Sequence, residues 1–138
     1  MEISFPYRPE AGQGGETIYR PVAEALLRGP AGREMYQYLY IDSGADHTLV
    51  PYRVGRFLGL SAADGEVHEI HGISGAVGVI YCTIELEIGG IRFPARVAWA
   101  QLEEVPLLLG RTDVFDRFEI TFRQRERAVV FRPVKCGP

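Results

Sequence analysis

Short apolar stretches separated by glycine and proline run along most of this chain. The sequence contains 16 glycines and 9 prolines, and the stretches between them are mostly of strand length. Apolar runs of this length, bounded by turn residues, are typical of β-strands. The pattern therefore predicts an all-β protein built from many short strands. A first strand is predicted at residues 3–7, followed by a glycine-rich loop at 10–16.

The strongest strand signal lies at residues 35–41, which are rich in aromatic and β-branched side chains. The preceding segment is ambiguous, because residues 23–28 are good helix formers. They are followed, however, by the tight-turn sequence Gly-Pro-Ala-Gly at 29–32. Because a hairpin explains both sides of this turn, a strand is predicted at 22–28.

Helical signals in the chain are short. Pro51 can open a helix at 52–58, and Thr112 with Asp113 can cap a second helix that runs through Phe118. The remaining strands are predicted at 67–71, 77–88, 91–100, 107–109, 119–122 and 128–131.

Length and charge narrow the class of protein. With 138 residues the chain is long enough for one domain, 1–138, in which residues 1–15 form a terminal strand and loop. The 15 basic and 18 acidic residues give a net charge of −3, which is unlike the basic surface of a nucleic-acid-binding protein. No apolar run has membrane-spanning length. We therefore expect neither nucleic acid nor a membrane as a partner.

The N-terminus and the two cysteines indicate the cellular compartment to be expected. The N-terminus lacks a basic segment followed by an apolar one, so no secretory signal is expected. Cys82 and Cys136 have neither metal-type spacing nor the pattern of a disulfide framework. A reducing, cytoplasmic location is expected, and a disulfide between the two cysteines stays an open alternative.

The candidate chemistry begins with Asp-Ser-Gly-Ala-Asp at residues 42–46, directly after the strongest strand. Gly44 allows the backbone to turn tightly beside the carboxylate of Asp42, because it has no Cβ. Taken alone, Asp-Ser-Gly is a common loop sequence and indicates only a turn after a strand.

Three separated features together make the sequence resemble the retropepsin-like aspartic proteases, the family of retroviral proteases and their cellular and bacterial relatives. The first is the strand leading into the motif at 42–46, with Thr48 and Pro51 after it. The second is a glycine-flanked segment, His-Gly-Ile-Ser-Gly at 71–75. The third is Leu-Leu-Gly-Arg at 108–111. The resemblance extends over most of the chain beyond about Gly15.

The resemblance implies a closed β-barrel of the retropepsin type with one or two short helices, acting as an aspartic endopeptidase. In such enzymes two neighbouring carboxylates share one proton: the ionised one takes a proton from water, and the protonated one polarises the scissile carbonyl. This chain has one motif, so the resemblance implies a C2 homodimer that pairs Asp42 of each subunit. It implies no cofactor and no metal.

The resemblance also assigns roles to individual residues. The catalytic set is Asp42, Ser43 and Gly44, with the Ser43 hydroxyl bonding across the dimer. Asp46 contacts the substrate backbone and pairs with Arg111, which supports the site. The segment at 71–75 is a flap that closes over the peptide. The implied substrate-binding residues are Ala45, Asp46, Gly72, Ile73, Ser74, Gly75, Pro106 and Leu108.

Other interpretations remain at this point. The same fold can serve as a binding or dimerisation module that no longer cleaves peptides, or the chain can be an unrelated β-barrel that binds a ligand in an apolar cavity. A zinc site at His68 and His71 is disfavoured, because residues three apart on a strand point to opposite faces. Asp113 and Asp116 are expected to cap or to face solvent.

Overall fold

The computed structural model describes residues 1–72 and 75–135, with the backbone alone at Asp64. This part of the chain holds one α-helical turn, α1 (Tyr52–Phe57), a 3-10 turn at Ala62–Asp64 and an irregular helical turn at Arg111–Phe115. No helix among these residues is long and apolar enough to cross a membrane. The strands of the same part are β1 (Ile3–Pro6), β2 (Arg8–Ala11), β3 (Thr17–Arg20), β4 (Val22–Arg28), β5 (Glu34–Ile41), β6 (Thr48–Val50), β7 (Val67–Gly72), β8 (Gly75–Ile88), β9 (Ile91–Ala100), β10 (Leu108–Leu109), β11 (Phe118–Arg123) and β12 (Ala128–Pro133).

Six strands form a closed barrel in the order β4-β5-β10-β6-β9-β8, and pairing of β4 with β8 closes it. β10 runs parallel to β5, β6 runs parallel to β9, and the other neighbours are antiparallel. β7 adds to the outer edge of β8. The predicted all-β class, with a closed barrel and short helices, is confirmed.

The β4–β5 hairpin settles the ambiguity in the sequence at 22–28. Ala23, Ala25 and Leu27 are at most 1% exposed, whereas Glu24 points to solvent. This two-residue alternation lets β4 bury one face in the barrel, which outweighs the helix propensity of its residues. The predicted strand is therefore confirmed.

A separate three-stranded sheet, ordered β1-β12-β11, covers one end of the barrel. Its aromatic side chains meet the barrel core: Phe118 lies edge-on to Phe93 at 5.8 Å and to Phe131 at 5.4 Å. Each such buried ring contributes about 1.5–3 kcal/mol through removal of apolar surface from water. The C-terminal hairpin thus belongs to the core. Trp99, only 1% exposed, lies in the same core.

The loop predicted at 10–16 is wrong at its start. Residues Arg8–Ala11 pair with Thr17–Arg20 as an antiparallel ribbon, here called the N-terminal ribbon. The turn between them is closed by the Gly12 N–H donating to the Glu16 carbonyl at 2.7 Å, and Gly15 adopts a φ of 83°. Glycine is suited to that left-handed conformation, so the glycine-rich segment is a strand connection.

The helix predicted through Phe118 is shorter than expected and irregular, and it ends at Phe115. Asp113 has a φ of 70°, which interrupts the turn, and Phe118 begins β11. The Asp113 N–H donates to the Asp116 carboxylate at 3.0 Å. The carboxylate of Asp113 instead accepts the Arg96 N–H on β9, at 2.9 Å. The carboxylates of Asp113 and Asp116 do accept backbone N–H groups, as a cap would, but they stabilise a bend that joins the barrel to β11.

Candidate active site

Asp42 lies where β5 ends, beside the parallel strand β10. Its N–H donates to the Leu109 carbonyl at 3.0 Å, so the ladder between the two strands extends to the aspartate itself. One carboxylate oxygen, Oδ1, accepts the Gly44 N–H at 2.9 Å, and the Asp42 carbonyl accepts the Ala45 N–H at 3.2 Å. The side chain is half-buried. The loop therefore orients a carboxylate that solvent and a ligand can still reach.

Arg111 holds this loop from the other side. Its Nη1 donates to the Ser43 carbonyl at 2.6 Å, and its Nη2 forms an ion pair with the Asp46 carboxylate. Its backbone N–H donates to the Ala45 carbonyl at 2.9 Å. The ion pair expected between Asp46 and Arg111 is thus present, and it ties residues 42–46 to the turn after β10.

Thr48 and Gly110 form a second tie that the sequence did not reveal. Thr48 is fully buried, and its hydroxyl accepts the Gly110 N–H at 3.1 Å. A Cβ at Gly110 would lie 2.3 Å from the carbonyl carbon of His47, closer than atoms can pack. The chain after the loop at 42–46 and the chain after β10 can approach this closely only because residue 110 is glycine.

An open groove of about 390 Å³ lies in front of the Asp42 carboxylate. Pro106 and Leu108, predicted to bind substrate, form part of its wall. The opposite wall comes from the N-terminal ribbon, which sequence reasoning left out of the site. The lining of the groove includes Glu10, Arg20, Tyr40, Asp42, Pro106 and Leu108.

The β7–β8 hairpin forms the expected flap arm. Gly72 and Gly75 are paired across it, and both are exposed. A second depression of about 550 Å³ lies between this arm and the segment before β10, and it shares Pro106 and Leu108 with the groove at Asp42. Ile73 and Ser74, predicted at the flap tip, lie outside the described residues. The depression beside the flap arm and the groove at Asp42 therefore meet at Pro106 and Leu108.

A polar network links the N-terminal ribbon to β5 beside Asp42. The Tyr40 hydroxyl donates to Glu10 Oε1, and Arg20 Nε donates to Glu10 Oε2 at 3.1 Å. The hydrogen bond to Glu10 raises the pKa of Tyr40 above its ordinary value of 10.0, with burial and the negative charge of Glu10 acting in the same direction. The Tyr40 hydroxyl therefore stays a proton donor, and both oxygens of Glu10 are occupied.

Other acids and histidines are used elsewhere. Asp113 and Asp116 stabilise the turn after β10, as described above. His71 pairs with Glu69 at 3.6 Å on the exposed flap arm. No group of three or more histidine, cysteine, aspartate or glutamate side chains in the described part of the chain is arranged to hold a metal ion. Cys82 is buried in β8, and Cys136 lies outside the described residues.

These features lie on a closed barrel, and comparison with solved structures identifies its fold. A retropepsin-like aspartic protease from Rickettsia conorii matches 94% of this chain and 98% of its own, with a TM-score of 0.65 and 15% identity. The EIAV protease, solved with an inhibitor, matches 67% of this chain and 82% of its own, with a TM-score of 0.51 and 20% identity.

This protein therefore has the retropepsin-like fold. No protein-family model matches its sequence, and no curated protein is detectably similar to it in sequence. At this level of identity the comparisons show the fold alone.

Proposed function

We propose that this protein is one subunit of a homodimeric aspartic endopeptidase that hydrolyses peptide bonds between two Asp42 carboxylates. The observation that carries the proposal is the position of Asp42: its half-buried carboxylate borders a groove that shares Pro106 and Leu108 with the depression beside the glycine-bounded hairpin. The backbone around it is fixed by Leu109, Arg111 and the Thr48–Gly110 contact. A carboxylate held in this way is suited to acid–base chemistry.

A second carboxylate is needed, and a second copy of the chain is its source. Glu10 borders the same groove, but both its oxygens are taken by Tyr40 and Arg20. The Asp113 carboxylate accepts the Arg96 N–H. Two-fold symmetry would bring Asp42 of a partner beside Asp42. Ser43 is exposed next to it, as a residue that bonds across the axis must be.

The reaction follows from the pair. Two adjacent carboxylates share one proton, because two negative charges so close together would repel each other. The ionised Asp42 removes a proton from a bound water, and the oxygen of that water attacks the scissile carbonyl carbon. The protonated Asp42 gives its proton to the carbonyl oxygen. When the resulting diol collapses, the C–N bond breaks, the amine leaves protonated, and the shared proton is restored.

The surface that joins two copies is part of the proposal. Within one subunit, β1 pairs with β12 of the same chain. In the three-stranded sheet, β1 and β11 each keep an open edge, and an open edge can add a strand from another chain. The exposed loop at 42–46 must also lie at the axis. Dimerisation is therefore proposed through that loop, with the sheet edges as its extension.

The test is peptide-library digestion by the wild type, Asp42→Asn and Asp42→Ala over a range of protein concentrations. Wild-type activity should rise more steeply than linearly while dimers form, and both variants should lose it. Asp116→Asn is the matched control, because the amide can still accept the Asp113 N–H. Cleavage by Asp42→Ala, or full specific activity in a monomeric sample shown by sedimentation, refutes the proposal. A wild type that dimerises without cleaving would instead be a binding module.

A further inference from the structure

A third depression, separate from the one beside the flap arm, adjoins the groove at Asp42 along the outer face of β5. Tyr38, Tyr40 and Asp42 lie on this face, because alternate residues of a strand share one side. This third depression holds about 470 Å³ and shares Glu10, Tyr40 and Pro106 with the groove at Asp42. The Glu10–Tyr40 hydrogen bond thus lies at the boundary of two sections of one groove. The section away from Asp42 is called the distal section here.

The distal section is rich in positive charge. It is lined by Arg8, from the N-terminal ribbon, and by Arg53, from α1. The Arg8 guanidinium carbon lies 3.9 Å from the centre of the Tyr38 ring. Stacking on a ring uses the flat face of a guanidinium and leaves its N–H edge able to bind a carboxylate in bidentate fashion.

The nearby acids do not cancel this charge. Glu10 is bound by Arg20 and Tyr40. Glu103 accepts the backbone N–H of Arg53 at 2.7 Å and lies 4.0 Å from its guanidinium, at a position where both side chains are more than half exposed. Glu24 faces Tyr38 across the β4–β5 pairing, but Arg8 forms no ion pair within the described part of the chain. Arg8 is therefore the charge that a ligand can neutralise.

From this arrangement we infer that the distal section is a substrate subsite that selects peptides with an acidic side chain some distance from the scissile bond. The inference rests on the proposed peptidase function. Tyr38 precedes Asp42 by four positions, or about 13 Å along a strand. An extended peptide in the groove has a similar rise per residue, so the selected side chain lies about three to five positions from the bond that breaks.

The test uses peptides that share one cleavable sequence and differ at a single position as Glu, Gln or Lys. The position is moved stepwise away from the scissile bond on each side, and kcat/KM is measured for each peptide. A preference for Glu over Lys of about tenfold is expected at the distal position and nowhere nearer, mainly through KM. Because the ion pair between Arg8 and the peptide carboxylate is exposed to solvent, the preference for Glu should fall as salt is added.

Arg8 variants separate recognition from folding. Arg8→Gln should remove most of the preference, and Arg8→Glu should invert it in favour of Lys. Arg123→Gln, at an exposed position on β11, is the control and should keep the preference. Short peptides that end before the distal position should be cleaved equally by all of these variants. Inversion is a result that a merely structural role of Arg8 does not produce.

Two failures are distinguishable. If short and long peptides are cleaved in an Asp42-dependent way, but Glu and Lys peptides are equal or Arg8→Glu keeps the Glu preference, the subsite is refuted and the peptidase stands. If no peptide is cleaved, the proposed function fails, and fluorescence anisotropy with the same labelled peptides decides about the subsite. Tighter binding of the Glu peptide, reversed in Arg8→Glu, supports it, and equal binding of Glu and Lys peptides overturns it.

Discussion

The guanidinium of Arg111 holds two parts of the candidate catalytic loop at once, and replacement by lysine tests what that contact does. Arg111→Lys keeps the charge but loses the fork that reaches both the Ser43 carbonyl and the Asp46 carboxylate. The side chains of Arg111 and Asp46 are 50% and 76% exposed, so solvent screens the ion pair. We expect a loss of only about 1 kcal/mol in the free energy of unfolding, or about 4 °C in Tm.

The effect on activity should be much larger than the effect on stability. A catalytic group displaced by about 1 Å loses on the order of 100-fold in rate, because the reacting atoms no longer meet in productive geometry. We therefore expect kcat/KM of Arg111→Lys to fall about 10- to 100-fold at protein concentrations that saturate the dimer. The two measurements are urea unfolding and peptide hydrolysis, with sedimentation to fix the fraction of dimer.

Arg132→Lys is the matched control. Arg132 also bridges two acceptors, Glu2 and Glu119, each at 3.5 Å, and is 59% exposed, but it lies in the sheet at the end of the barrel. Its replacement should cost similar stability and leave kcat/KM unchanged. If both variants keep full activity, or if activity falls in proportion to stability in both, Arg111 does not position the loop and the reasoning is wrong.

Three further changes test other parts of the site. Gly110→Ala should destabilise the fold by about 2–4 kcal/mol in urea unfolding, because its Cβ would meet the His47 backbone 2.3 Å away; an unchanged midpoint would contradict this. Since the raised pKa of Tyr40 favours its neutral form, its stabilising effect is present below pH 10 and is lost as the pH rises through the higher folded-state value. In the variant Tyr40→Phe, urea unfolding measured across this pH range should no longer show that loss. Gly75→Ala, at a φ of 121° that alanine rarely adopts, should slow cleavage and leave the urea midpoint of the barrel unchanged. Gly72→Ala also meets no atom within 4 Å but has no positive φ, so it should slow cleavage less and also leave the midpoint unchanged; equal activities of the two variants would refute a role for the hairpin conformation.

Much of the barrel could be predicted from local sequence, because its strands bury one face and alternate in hydrophobicity. β4 shows this best. Its Ala, Glu and Leu residues favour a helix, but the turn at 29–32 and the strong strand after it correctly predicted a strand. The motif at 42–46 and the Leu-Leu-Gly-Arg segment could be located for a related reason, since each follows directly on a strand signal.

Contacts between distant segments could not be predicted in this way. Thr48 and Gly110 are 62 positions apart, and nothing local marks either as the partner of the other. Glu10 meets Tyr40 across 30 positions, through a ribbon that the glycines at 12–15 made look like a loop. Asp113 was taken for a helix cap because its local sequence fits one, yet its carboxylate serves Arg96 on a neighbouring strand.

The origin of these contacts suggests how the molecule divides its tasks. The position of Asp42 is set by the barrel, through β10, Thr48 and Arg111, where a small shift alters packed backbone. Walls of the groove and of the depression beside it come from the N-terminal ribbon, from β7 and from the first residues of β8, before β8 pairs with β9 in the barrel. Substitutions on those walls should leave the backbone around Asp42 in place. Changes in the ribbon should therefore alter which peptides are chosen, whereas changes around β10 should alter how fast any peptide is cleaved.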